Sequence, residues 1–240
     1  MATQTVSRRI NDRKLYIAAA ILTPLIVLLG FGRTYYLKGL FGTPALPSLL
    51  VHFHGLIMTS WVVLFVAQVT LVATHRTKTH QRLGVAGALL AALIFVVGIL
   101  TGLYSAARGS SSGPAALQFL IIPIGDMIVF AILISTALYF RRKLAIHKRL
   151  MLLASINLLV PAIARIPLGF IQNGGPLAFF GLADLLLIGC VVFDTIKHRR
   201  LHPAFLWGTL LIIVAQPLRV MFAGTDLWLK IATSLVNLVS

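Results

Sequence analysis

The chain contains no glutamate, and its 240 residues include only five acids against 21 lysines and arginines. Charged residues make up 11% of it and hydrophobic ones 59%. With a mean hydropathy of +0.97, these values exclude an ordinary soluble domain. The single cysteine, Cys190, excludes an intrachain disulfide framework or a cysteine-built metal site, and its apolar surroundings suit a packing residue. No nucleotide-binding loop, HExxH, GxSxG or cysteine-pair motif occurs. Long polar stretches are also missing, so residues 1–240 read as one transmembrane domain with no appended soluble unit. The net charge of +16 is no nucleic-acid footprint, because the basic residues stand in short turns between apolar runs and not along one face.

What is present is a series of seven apolar runs, at 15–31, 48–74, 83–107, 115–140, 149–171, 177–196 and 203–223. A hydrocarbon core of about 30 Å takes roughly 20 helical residues to cross, so the pattern predicts an all-α polytopic membrane protein. Arg8, Arg9, Arg13 and Lys14 before the first run resemble a signal-peptide start. The run has no small-x-small cleavage site and six more follow, so it is expected to be an uncleaved first helix. Pro47, Pro114, Pro176 and Pro203 stand at span starts, where the missing N–H costs little. Fifteen lysines and arginines fall in the N-terminal tail and in the turns after spans two, four and six, while Arg33, Lys38, Arg108 and Lys230 fall on the other side. The positive-inside rule then predicts a cytoplasmic N-terminus and an external C-terminus, in the inner (cytoplasmic) membrane of a cell. Tyr16 and Tyr139 would mark the inner interface, and Tyr35, Tyr36, Tyr104 and Trp228 the outer one. The tail 227–239 is too short to span; Trp228, Ile231, Leu235 and Leu238 share one helical face, which predicts an interfacial helix. Gly98 and Gly102 form a small-xxx-small pair suited to close helix packing.

The stretch from Asp126 to Arg165 organises the rest: acid, basic turn Arg141-Arg142-Lys143, His147, apolar helix, arginine. Asp184, the turn Lys197 to Arg200, His202 and Arg219 repeat that order, and His80-Gln-Arg-Leu opens span three as His147-Lys-Arg-Leu opens span five. Spans two to seven therefore read as three tandem helical hairpins, the first of which carries His52 and His54 in place of the charges. At 1.5 Å per residue Asp126, Asp184, Arg165 and Arg219 all fall in the outer half of the bilayer, level with the two histidines.

One buried polar layer is the economical reading, and an intramembrane charge is a functional hypothesis by default. The bland account pairs Asp126 and Asp184 with Arg165 and Arg219. Against it, His52 and His54 exceed what pairing needs, and an arginine can hold a carboxylate and a ligand anion together through its five donors. Pro123, Pro161, Pro167 and Pro217 lie beside these charges, and such breaks persist where buried groups or water satisfy the freed carbonyls. On span two His54, Met58, Trp61, Phe65 and Gln68 form one stripe. The candidate ligand-binding set is thus His52, His54, Trp61, Gln68, Asp126, Arg165, Asp184 and Arg219. His52 and His54 could ligate one metal ion only where the helix has not yet begun, since i and i+2 diverge on a helix. His75, His80, His147, His198 and His202 lie among basic residues and read as turn residues touching lipid phosphates; a haem would need an inner histidine pair or an outer His–Met pair.

His52-Phe-His-Gly, Trp61, Gln68, His80-Gln-Arg-Leu-Gly and His147-Lys-Arg-Leu-Met resemble small polytopic membrane proteins of bacteria to which no activity is attached, which implies the fold and no chemistry. The seven-span layout is also similar to the adiponectin-receptor and haemolysin-III group, but span seven lacks the histidine pair of that group's zinc site. Three functions compete on the residues alone. The first is binding or transport of a small polar or amphipathic ligand, or an anionic one, in an outer-half polar cavity. The others are a haem- or metal-bearing oxidoreductase or oxidase-assembly component and a structural membrane subunit. Membrane lipids are the expected partners, and nucleic acid is not.

Overall fold

The computed structural model describes residues 2–110 and 113–239, with side chains from Arg13 onward except at Ser110. Among the described residues every regular element is helical: α1 Ala2–Phe31, α2 Leu49–Ala73, α3 Thr77–Ser110, α4 Ala115–Phe119, α5 Ile121–Tyr139, α6 Leu144–Asn157, α7 Val160–Ile163, α8 Gly169–His198, α9 Pro203–Ala223 and α10 Asp226–Asn237. A π-helical turn, Gly32–Tyr36, ends α1. Seven helical spans are long and apolar enough to cross a membrane, with α4 and α5 counted as one and α6 and α7 as another. This is the character of a multi-pass membrane protein.

Prolines set the interruptions. A proline cannot donate to the carbonyl four residues back, so the ladder stops there. α4 ends at Phe119, four residues before Pro123; α6 ends at Asn157, four before Pro161; α7 ends at Ile163, four before Pro167. Pro24, Pro176 and Pro217, by contrast, lie inside α1, α8 and α9. The fifth span consequently closes at Ile163 and not at the expected 171, leaving Arg165 beyond its end. Conversely, α8 starts before the expected 177, crossing a kink at Gly175 whose φ of 55° favours glycine.

The expected hairpins pack as neighbours: α2 on α3, α5 on α6, and α8 on α9. At the centre α6 buries every residue from Leu152 to Asn157. One apolar cluster gathers Trp61, Phe130, Leu153 and Phe205 towards the end of the molecule that carries His147 and His202. A second gathers Leu120, Phe179, Phe180 and Trp228 at the other end. The Gly98 and Gly102 pair serves close packing as expected: a Cβ on Gly98 would strike the Met127 sulfur, and Gly102 faces Pro123, both on α5. α10 is amphipathic, but its buried face is Trp228, Ala232 and Val236, whereas Ile231 and Leu238 of the expected face are exposed. The Trp228 indole donates to the Leu117 carbonyl at 2.9 Å and ties α10 to α4, so one side of the helix is spent on the bundle.

Candidate functional site

Of the four charges singled out within the spans, two meet. Arg219 on α9 donates through Nη1 to Asp126 Oδ1 on α5 at 2.6 Å and to the Ile122 carbonyl at 3.1 Å, while its Nε reaches the Ala215 carbonyl at 3.0 Å. Asp126 is 3% and Arg219 7% exposed. The guanidinium lies 5.3 Å from the Phe180 ring centroid, and a side chain on Gly125 would occupy the space its Cδ fills. Asn157, at the break that Pro161 imposes, donates to the Asp126 carbonyl at 3.0 Å. This part of the layer is a closed pair, built by a glycine, an aromatic face and a proline break. Only Nη2 of Arg219 is left without an acceptor.

The second pairing does not form. Asp184 accepts from Gln216 Nε2 at 2.9 Å and stays half-buried where α8 meets α9. Arg165 sits in the turn after α7 and is exposed. Its Nη1 donates to the Pro161 carbonyl at 2.9 Å and its guanidinium lies 5.0 Å from the Phe31 ring centroid, a cation–π contact with α1. His54 is half-buried and close enough to Arg165 for the two to interact electrostatically. Arg165, His54 and Phe31 thus form a second group, from the turn after α7, from α2 and from α1, apart from the closed pair.

The remaining expected members fall elsewhere. α2 already begins at Leu49, capped by the Ser48 hydroxyl, so His52 and His54 diverge and the condition for a shared metal ion is not met. Among the described residues no group of three or more His, Cys, Asp or Glu side chains is placed to hold a metal. His52 is exposed, its carbonyl 3.4 Å from the Tyr35 hydroxyl. Trp61 is 5% exposed and packs edge-on against Phe130 at 5.4 Å, as a core residue below Asp126. Gln68 lies fourteen residues from His54, about 21 Å along the helix. With its amide turned to suit its neighbours, it donates to His80 Nδ1 at 2.6 Å and accepts from the Gly84 N–H at 3.1 Å, so it belongs to the opposite end of the bundle.

That opposite end holds a site the sequence reading missed. Arg149 on α6 grips Asp194 on α8 through Nε at 2.9 Å and Nη2 at 2.7 and 2.8 Å, with its Nη1 on the Ala145 carbonyl at 2.8 Å. The two residues are 3% and 2% exposed. His198 Nδ1 lies 2.8 Å from the Asp194 carbonyl, and the Phe205 ring centroid is 5.6 Å from the Arg149 guanidinium. His202 caps α9 by accepting from the Ala204 N–H at 3.1 Å, which needs a neutral imidazole. Burial and then the neighbouring Arg149 hold its pKa below the usual histidine value. The sequence signal was Asp194 within an apolar run, two residues after Val191-Val192, facing the arginine of His147-Lys-Arg.

No family model matches the chain, and neither a curated protein nor a solved structure matches it. The site's own geometry therefore carries the functional reading.

Proposed function

We propose that this protein lies in the cytoplasmic membrane with its N-terminus inside, and that it binds the anionic group of a small amphipathic ligand at its outer end. Arg165 is the principal contact, His54 the second, and Phe31 the apolar support. The observation that carries this reading is that Arg165, alone among the four arginines and acids singled out in the sequence, has neither a carboxylate nor a buried amide against it. Among the described residues its one hydrogen bond goes to a backbone carbonyl, which leaves four donors for a ligand. The open position follows from the proline break at Pro167, which ends α7 before the arginine and lifts it towards the outer rim. Arg219, the other arginine expected at the ligand, is committed to Asp126 and takes a structural part.

The test is a thermal-shift screen of the purified protein against fatty acids, anionic phospholipids and neutral amphipaths such as quinones. The expected result is stabilisation by an anionic class that is lost in both Arg165→Ala and His54→Ala, while each variant alone melts within a few degrees of the parent. Absence of stabilisation by any class, or an unchanged shift in Arg165→Ala, contradicts the reading.

A further inference from the structure

Three acids lie within the spans, and their partners differ. Asp126 holds Arg219, and Asp194 is gripped by Arg149 through three hydrogen bonds. Among the described residues Asp184 has only the amide of Gln216, itself 4% exposed. We propose that Asp184 is a proton-binding carboxyl, which takes up and releases a proton where α8 meets α9. The proposal stands independently of the ligand at Arg165.

α8 packs chiefly against α1, α6, α7 and α9. On α1, residues 17–31 carry no charge, α7 carries none, and Arg219 is the only charged residue of α9. The charged residues of α6 are Lys148 and Arg149, with His147 the other titratable one, and Arg149 is held by Asp194, ten residues or about 15 Å along α8 from Asp184. Among the described residues the only polar group acting on the Asp184 carboxyl is Gln216. Leu185 is 66% exposed, and Ile188, one turn along the same face of α8, is 44% exposed, so the surface around the carboxyl is apolar. With this face of the span in lipid, a charged carboxylate in such a position has no cation beside it to offset its charge. A hard metal cation takes six or more oxygen ligands, far beyond one carboxylate and one amide, whereas a proton needs the carboxyl alone. The Gln216 N–H donates to Oδ1 in either state, so a proton on Oδ2 leaves that bond intact.

The test uses an apolar carbodiimide, which reacts with protonated carboxyls in a membrane. The carboxyl proton passes to a carbodiimide nitrogen as the carboxyl oxygen adds to the central carbon, and the acyl group then migrates to nitrogen to give a stable N-acylurea. The full chain in phospholipid vesicles would be treated across a pH series, digested and read by peptide mass spectrometry. The expected result is an adduct at Asp184 that increases as pH falls, with Asp126 and Asp194 in the same digest at least tenfold less labelled. Because the controls lie in the parent chain, no variant has to fold. An unlabelled Asp184 at acid pH, or equal labelling of all three acids, overturns the proposal.

Discussion

Arg165 and Arg219 occupy matching places in the sequence repeat, yet their surroundings make opposite demands. Removing Arg219 leaves Asp126 buried and unpaired, a change that costs roughly 3–5 kcal/mol when a buried pair is broken. Removing Arg165 leaves no stranded partner and should fall within about 0.5 kcal/mol. Melting of Arg219→Ala and Arg165→Ala in detergent should therefore separate them sharply, and equal stabilities would contradict the assignment of one as structural and the other as open. The sequence reading pairs Asp126 and Asp184 with Arg165 and Arg219, and of these only Asp126 with Arg219 forms. It did not foresee the Arg149–Asp194 pair, because Arg149 follows a basic turn and counts there as a surface charge. Depth alone could not reveal that its helix turns it inward, where Phe205 and Asp194 wait.

At the scale of elements, the spans were legible because a membrane helix needs only length and apolarity, and both are written in composition. Their ends were less so. The breaks at Phe119, Asn157 and Ile163 each fall four residues before a proline, which the sequence offers, but Pro24 and Pro217 obey the same chemistry and remain inside α1 and α9. Beyond Pro217 the helix runs on and carries Arg219 to Asp126. The face of α10 was half legible for a similar reason, since helical periodicity identifies an apolar side without saying whether lipid or protein covers it. Glycines give the sharpest test of packing. A Cβ on Gly30 would overlap the Ala162 backbone, where α1 crosses α7, whereas nothing lies within 4 Å of one on Gly189. Gly30→Ala should destabilise by about 1–3 kcal/mol, as overpacking does. Gly189→Ala should be neutral or stabilise by up to about 1 kcal/mol, from helix propensity. Thermal denaturation of the two variants side by side measures the difference, and a neutral Gly30→Ala would mean that the α1–α7 approach is looser than described.

For the whole molecule, the charge asymmetry and the bundle support one another. Arg13, the turns that follow α2, α5 and α8, and the buried Arg149–Asp194 pair share one end of the molecule; Arg165, His54, Phe31 and α10 share the other. The outer position of Arg165 is the claim on which the proposed binding site depends. It is tested most directly by cysteine accessibility in intact cells, with Cys190→Ser as the background. In that background Arg165→Cys and Arg142→Cys would each be treated with a membrane-impermeant maleimide before and after permeabilisation. The expected result is labelling of position 165 from outside and of position 142 only after permeabilisation. Labelling of position 142 from outside, with position 165 protected until the membrane is opened, would invert the topology and contradict the account.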